Sequence, residues 1–162
     1  MSQLIRKVSI SDLDNLLALN ESEVPHVGSI DIERMHWFEK NADYFRIAAQ
    51  DEQIAGFLIG FRPGSSYQSL NYRWFCDRYD DFAYVDRIAV AESARGLGIA
   101  SRLYADFAAT LPRSYKSMTC EVNILPPNEG SMRFHTRLGF REVGTLSSDA
   151  GDKKVAMLLK DL

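Results

Sequence analysis

A single α/β domain built on a mixed, mostly antiparallel sheet is predicted by three observations. Strand-like and helix-like segments alternate along the whole 162-residue chain. Two pairs of strand-like segments, Tyr44–Gln50 with Gln53–Phe61 and Phe140–Leu146 with Lys154–Leu159, are joined by hairpin-like connections and so should be antiparallel neighbours. Between these pairs stands a strand–helix–strand unit, the arrangement that sets two strands parallel.

The elements follow in order. Leu4 to Val8 reads as a first strand. Ser9 should start a helix with Asp12 as its capping-box partner, and Ile10, Leu13 and Leu17 fall on one apolar stripe. A second helix is expected over Ile32–Lys40, after a loop around Pro25 and Gly28. Asp51 and Glu52 mark the tight turn of the first hairpin. Arg62 to Asp81, rich in Gly, Ser and aromatic residues, reads as a long irregular connection, a kind that is usually functional or mobile. Phe82–Val90 is a strand entering a glycine-containing loop, then a helix from about Leu97 to Leu111. Lys116–Asn123 is the next strand, and Asn128–Leu138 is a helix stopped by Gly139.

Composition narrows the function classes. With 46% hydrophobic residues the chain has enough apolar side chain for one sizeable core. Nineteen basic against 22 acidic side chains, a net charge of -3, leave no electrostatic footprint for a nucleic acid or an anionic membrane as partner. The opening MSQLIRKVSISDLDNL lacks the apolar core of a signal peptide, and no apolar run approaches the roughly 20 residues that span a bilayer. Cys76 and Cys120 are too few for a disulfide scaffold or a closed zinc site, and no histidine–carboxylate cluster has metal-ligand spacing. A cytoplasmic location is the expectation.

The chemistry concentrates in VDRIAVAESARGLGIASRL, from Val85 to Leu103. A buried-type strand ends at Val90, and Arg95-Gly96-Leu97-Gly98-Ile99-Ala100 opens a long amphipathic helix. Glycines there allow turns closed to other residues and close approach of backbone to a ligand. First-turn amides, with the positive end of the helix dipole behind them, make an anion site suited to a pyrophosphate.

Arg95-x-x-Gly98-x-Ala100 resembles the acetyl-CoA signature of the GNAT superfamily of N-acetyltransferases. The resemblance implies that the turn from Arg95, Gly96 and Leu97 to Gly98, Ile99, Ala100 and Ser101 holds the cofactor's pyrophosphate. It also implies that the strand edge Ile88, Ala89 and Val90 pairs with the pantetheine arm. A second segment, NEGSMRFHTRLGF from Asn128 to Phe140, resembles the family's second cofactor element, with Asn128, Ser131 and His135 on one helical face. Read as residues alone, Asn128 also suits an N-cap and Ser131 a solvated face. The GNAT-like fold so implied has six to seven strands flanked by about four helices. The implied activity is transfer of an acetyl group from acetyl-CoA to the primary amine of a small molecule, amino acid or peptide. A homodimer is common in such proteins.

The resemblance implies direct attack of an uncharged amine on the thioester, which requires a base, an oxyanion donor and a proton for the leaving sulfur. The oxyanion donor would be an amide near Val90. The family's proton-donating tyrosine is here His135, which can donate a proton when charged, hydrogen-bond the cofactor or fill space. Asp86 is the first candidate base and Glu121, on the neighbouring strand, the second. A carboxylate at Asp86 must be paired, solvated or functional, and Arg87 beside it points to the opposite face.

Two segments are expected to wall the acceptor. One is the loop after the first helix, where Glu21 and Glu23 could attract an ammonium. The other is the aromatic stretch with Tyr67, Tyr72, Trp74, Phe75 and Tyr79, in which Tyr72 and Trp74 would contact substrate; a cover on the core or a dimer surface is the alternative. The missing tyrosine keeps open a second function class, a non-catalytic module that binds acetyl-CoA as a sensor or scaffold.

Overall fold

A computed structural model describes residues 3–162. Seven strands form one sheet in the order β1-β2-β3-β4-β5-β7-β6. They are β1 (Gln3–Lys7), β2 (Tyr44–Gln50), β3 (Gln53–Phe61), β4 (Phe82–Val90), β5 (Ser117–Leu125), β6 (Arg141–Ser147) and β7 (Lys154–Asp161). Five helices accompany them: α1 (Leu13–Ser22), α2 (Ile32–Asn41), α3 (Leu70–Cys76), α4 (Ile99–Ala109) and α5 (Glu129–Leu138). The pairings β1–β2, β2–β3, β5–β7 and β6–β7 are antiparallel, and β4–β5 is parallel. Among the described residues no helix is long and apolar enough to cross a membrane.

The chain divides into two compact units that share β4: residues up to Phe61 with Arg87–Thr110, and Arg62–Asp86 with Leu111–Leu162. In the first unit the tight turn between β2 and β3 has Asp51 and Glu52 at φ of 50° and 71°, the left-handed pair that a two-residue hairpin requires. Leu13, Leu16, Met35, Phe38, Ile47, Phe57 and Phe107 are fully buried and form much of its core. Trp37 packs on Phe38 and Phe61 at ring separations of 5.9 and 6.0 Å, under the guanidinium of Arg34. At Gly56 on β3, a Cβ would lie 2.7 Å from the Ala89 carbonyl and 3.2 Å from Cγ2 of Ile99. Only glycine lets β4 and the first residue of α4 come this close, so this position seats the helix start against the sheet.

The capping box is present, in altered form. Asp12 Oδ2 accepts from the Ser9 amide at 2.8 Å, while Arg6 donates to both carboxylate oxygens at 2.8 and 2.9 Å and holds the acid well below the usual carboxylate range. The box caps a 3₁₀ turn (Ile10–Asp12) instead of the α-helix itself. That turn shifts the helical phase, so the inward stripe is Leu13, Leu16 and Asn20, and Ile10 stands 65% exposed. The helix expected from Leu97 begins at Ile99, because Gly96 and Gly98 hold φ of 80° and 77° and a right-handed helix cannot pass through them.

In the second unit, the stretch read as irregular contains α3. Ser69 caps it by accepting from the Tyr72 amide, and Tyr72 and Phe75, one turn apart, are 1% and 0% exposed. Their rings pack on Phe82 and Tyr84 of β4 at 5.5–6.3 Å. The spacing Tyr72, Phe75, Tyr79 was the available signal of a helix.

Candidate active site

The first unit carries the turn at the start of α4. Gly98 is its N-cap in the left-handed conformation and has no side chain to satisfy the first-turn amides of Ile99, Ala100 and Ser101. Those donors therefore face outward from a helix of eleven residues. Among the described residues, a Cβ built at Gly98 would have Arg102 Nη2 at 3.6 Å as its nearest non-adjacent neighbour, and one at Gly96 would have none within 4 Å. Arg102 donates to the Leu97 carbonyl at 2.8 Å and pins the turn from behind. The turn lies between Arg95 and Arg102, and uncapped first-turn amides of this kind are the groups that bind anions. Ile88, Ala89 and Val90 precede it at the end of β4, where the Ala91 amide donates to the Ala55 carbonyl at 2.7 Å.

The loop between α1 and α2 is tied to these elements. Arg95 Nη2 bonds Glu23 Oε1 at 2.5 Å, joining a predicted cofactor residue to a predicted substrate residue. Glu23, expected to attract an ammonium, is thus ion-paired with Arg95. Glu21 accepts from Ser29, Ile30 and Asn20, and these bonds hold its carboxyl below the ordinary range. Arg87 donates to Asn20 Oδ1 and to the Gly28 carbonyl, both at 2.9 Å, with its guanidinium over Phe38. Asn20 is fully buried. The sequence reading missed this anchor; the signal was an amide side chain on the apolar stripe of α1, which had to find polar partners.

The second unit carries the carboxylates. The parallel ladder of β4 with β5 runs from Phe82–Ser117 to Tyr84–Thr119, and Asp86 and Glu121 lie two residues past its end on their respective strands. Tyr84, wholly buried, reaches both oxygens of Glu121 at 2.6 and 2.9 Å, and Asn71 donates to Oε1 at 2.9 Å. Burial, then the charges of Glu121 and Asp86, push the Tyr84 hydroxyl well above its usual range, so it stays a protonated donor. Asp86 accepts from the Tyr67 hydroxyl at 2.7 Å.

The two aromatic residues expected to contact substrate both lie in this unit. Tyr72 is a core residue whose hydroxyl donates to the Arg62 carbonyl at 2.6 Å, so it presents no surface to a ligand. Trp74 lies against Gly144 of β6, where a Cβ would collide with Cζ2 of the indole, and Arg78 sits 3.9 Å from its ring centroid. The aromatic stretch is chiefly a cover on the core.

A model of the Acetyltransferase (GNAT) family matches residues 11–140. The chain belongs to the GNAT acetyltransferase family. Over 63 residues it is 44% identical to phosphinothricin N-acetyltransferase of Streptomyces coelicolor, a match covering 36% of this chain and 33% of that protein. Ard1 from Thermoplasma volcanium superposes with a TM-score of 0.79 at 17% identity, over 100% of this chain and 99% of the other. Ribosomal-protein-alanine N-acetyltransferase from Brucella melitensis gives 0.71 at 25% identity, over 98% and 99%.

In this acetyltransferase α5 begins with Asn128, whose side chain accepts from the Ser131 amide at 3.3 Å, as the capping alternative foresaw. Ser131 is half-buried, with Oγ 3.2 Å from Nδ1 of His135. His135 is 3% exposed, and its Nδ1–H donates to the Ser131 carbonyl at 2.7 Å between the edges of Phe134 and Phe140. Burial lowers the imidazole pKa, with the Ser131 bond acting weakly the other way, so the ring is neutral at pH 7. The unfolded chain takes up a proton near pH about 6.5 while the folded ring resists it. Stability is therefore complete above that pH and falls below it, by at most about 1.4 kcal/mol per pH unit for one proton. Melting temperatures from pH 8 to pH 5 should show this decline, and His135→Phe should flatten it.

Proposed function

We propose that the chain is an acetyl-CoA-dependent N-acetyltransferase acting by direct attack of a primary amine of a small molecule, amino acid or peptide. The observation that carries the reading is the left-handed, uncapped Gly98 start of α4, preceded by Arg95 and open where a side chain would be. Acetyl-CoA supplies the activated acyl group when bound. The residues proposed to hold it are Ile88, Ala89 and Val90, the turn from Arg95 to Ser101, and Asn128 with Ser131 on α5. Among the chain's own groups, Asp86 takes the proton of the incoming ammonium, and Glu121, held by Tyr84 and Asn71, supplies a fixed negative charge favouring a cationic acceptor. His135 anchors α5. A neutral, buried imidazole whose Nδ1–H is already committed to Ser131 is a poor proton donor, which weighs against the role the resemblance implied for it.

The names of the similar proteins suggest the first acceptors: phosphinothricin, and the amine of an alanine-bearing peptide. Spermidine serves as a third. Release of free thiol from acetyl-CoA should depend on one of these amines, and acetyl-CoA but not NAD should raise the melting temperature in proportion to the logarithm of its concentration. A melting temperature indifferent to acetyl-CoA would overturn the reading.

A further inference from the structure

Twenty residues, Arg62 to Asp81, join β3 to β4, where connections in compact domains usually take two to six. They are tethered at several points. The Ser65 amide donates to the Tyr72 hydroxyl at 3.2 Å, and the Tyr67 amide donates to Ser65 Oγ at 3.1 Å. Tyr67 packs on the buried ring of Tyr72 at 5.8 Å. Further along, α3 is nailed to the core by Tyr72 and Phe75. Tethering of this kind fixes two polar side chains in space. Tyr67 donates to Asp86 and Asn71 donates to Glu121, the two carboxylates on which the chemistry proposed above rests.

Resting on that reading, we propose that this segment is a positioning device for the reaction, in which Tyr67 sets the carboxylate of Asp86 and Asn71 sets that of Glu121. Neither residue takes or gives a proton. A hydrogen bond to a carboxylate fixes its rotamer, so each donor keeps its acid aimed while an ammonium approaches. Tyr84 on the same strand and Glu121 on β5, hydrogen-bonded to each other, belong to the same cluster as Asp86.

The test compares wild type, Tyr67→Phe and Asn71→Ala. In Tyr67→Phe, kcat should fall about tenfold, as for one hydrogen bond to a charged group, with KM for acetyl-CoA unchanged. A carbon-13 spectrum of the Asp86 carboxyl at neutral pH, which needs no turnover, should show its resonance displaced and broadened as the carboxylate loses its fixed rotamer. Asn71→Ala should raise KM for the amine and leave the Asp86 resonance in place. An Asp86 resonance unmoved in Tyr67→Phe would overturn the inference whatever the activity. Wild type that turns over no amine would sink the proposed function instead, which keeps the two failures separate.

Discussion

Gly98→Glu is expected to abolish the stabilisation of the protein by acetyl-CoA while leaving it folded. The position sits at φ 77°, so any side chain there costs about 1–2 kcal/mol of backbone strain. Space is not the obstacle, since the nearest neighbour of a new Cβ is the flexible end of Arg102 at 3.6 Å. The obstacle is charge: a carboxylate at the helix start would compete for the amides of Ile99, Ala100 and Ser101 and repel a second anion. Gly98→Ala carries the same strain without the charge and should keep a measurable thermal shift. A Gly98→Glu protein that is still stabilised as strongly as wild type would move the cofactor away from this turn.

Asp86→Asn is expected to lower kcat by about 10²–10⁴, the usual worth of a positioned general base, with acetyl-CoA binding intact. The substitution is nearly isosteric, and an amide oxygen still accepts from Tyr67, so the fold around the 2.7 Å contact should survive. Glu121→Gln is the companion, because it keeps an acceptor for Tyr84 and Asn71 while removing the charge. Single-turnover acetylation would separate the two. Loss of turnover in Glu121→Gln with Asp86→Asn near wild type would exchange their roles, and two active variants would remove both from the chemistry.

Much of this arrangement was legible in the residues because its signals were local. Gly96 and Gly98 announce a turn that no other residue enters cheaply, and Asn128 and Gly139 punctuate α5 at both ends. Strand boundaries for β2 and β3 follow from apolar runs broken by Asp51 and Glu52, and the end of β4 from the polar Glu92 close behind Val90. What stayed hidden depends on contacts between segments far apart in sequence. Nothing near Glu23 points to Arg95, and nothing near Glu121 points to Asn71 or Tyr84. Tyr72 was one of a dense run of aromatics that could face a ligand or cover the core, and only the seven-residue helix turns it into the core. The phase of α1 was misjudged for a related reason: a single 3₁₀ turn rotates every later residue, and Ser9 and Asp12 cap either kind of helix equally well.

The chain contains two tryptophans, and they fall one in each compact unit: Trp37 beside Phe61, and Trp74 pressed on Gly144 beneath Arg78. Each indole is thus a private optical reporter. Emission from a protein carrying Trp37→Phe describes only the unit that holds Asp86 and Glu121, and emission from one carrying Trp74→Phe only the unit that holds the Gly98 turn. The protein comes with the means to watch the half that carries Asp86 and Glu121 and the half that carries the Gly98 turn separately, with no label added.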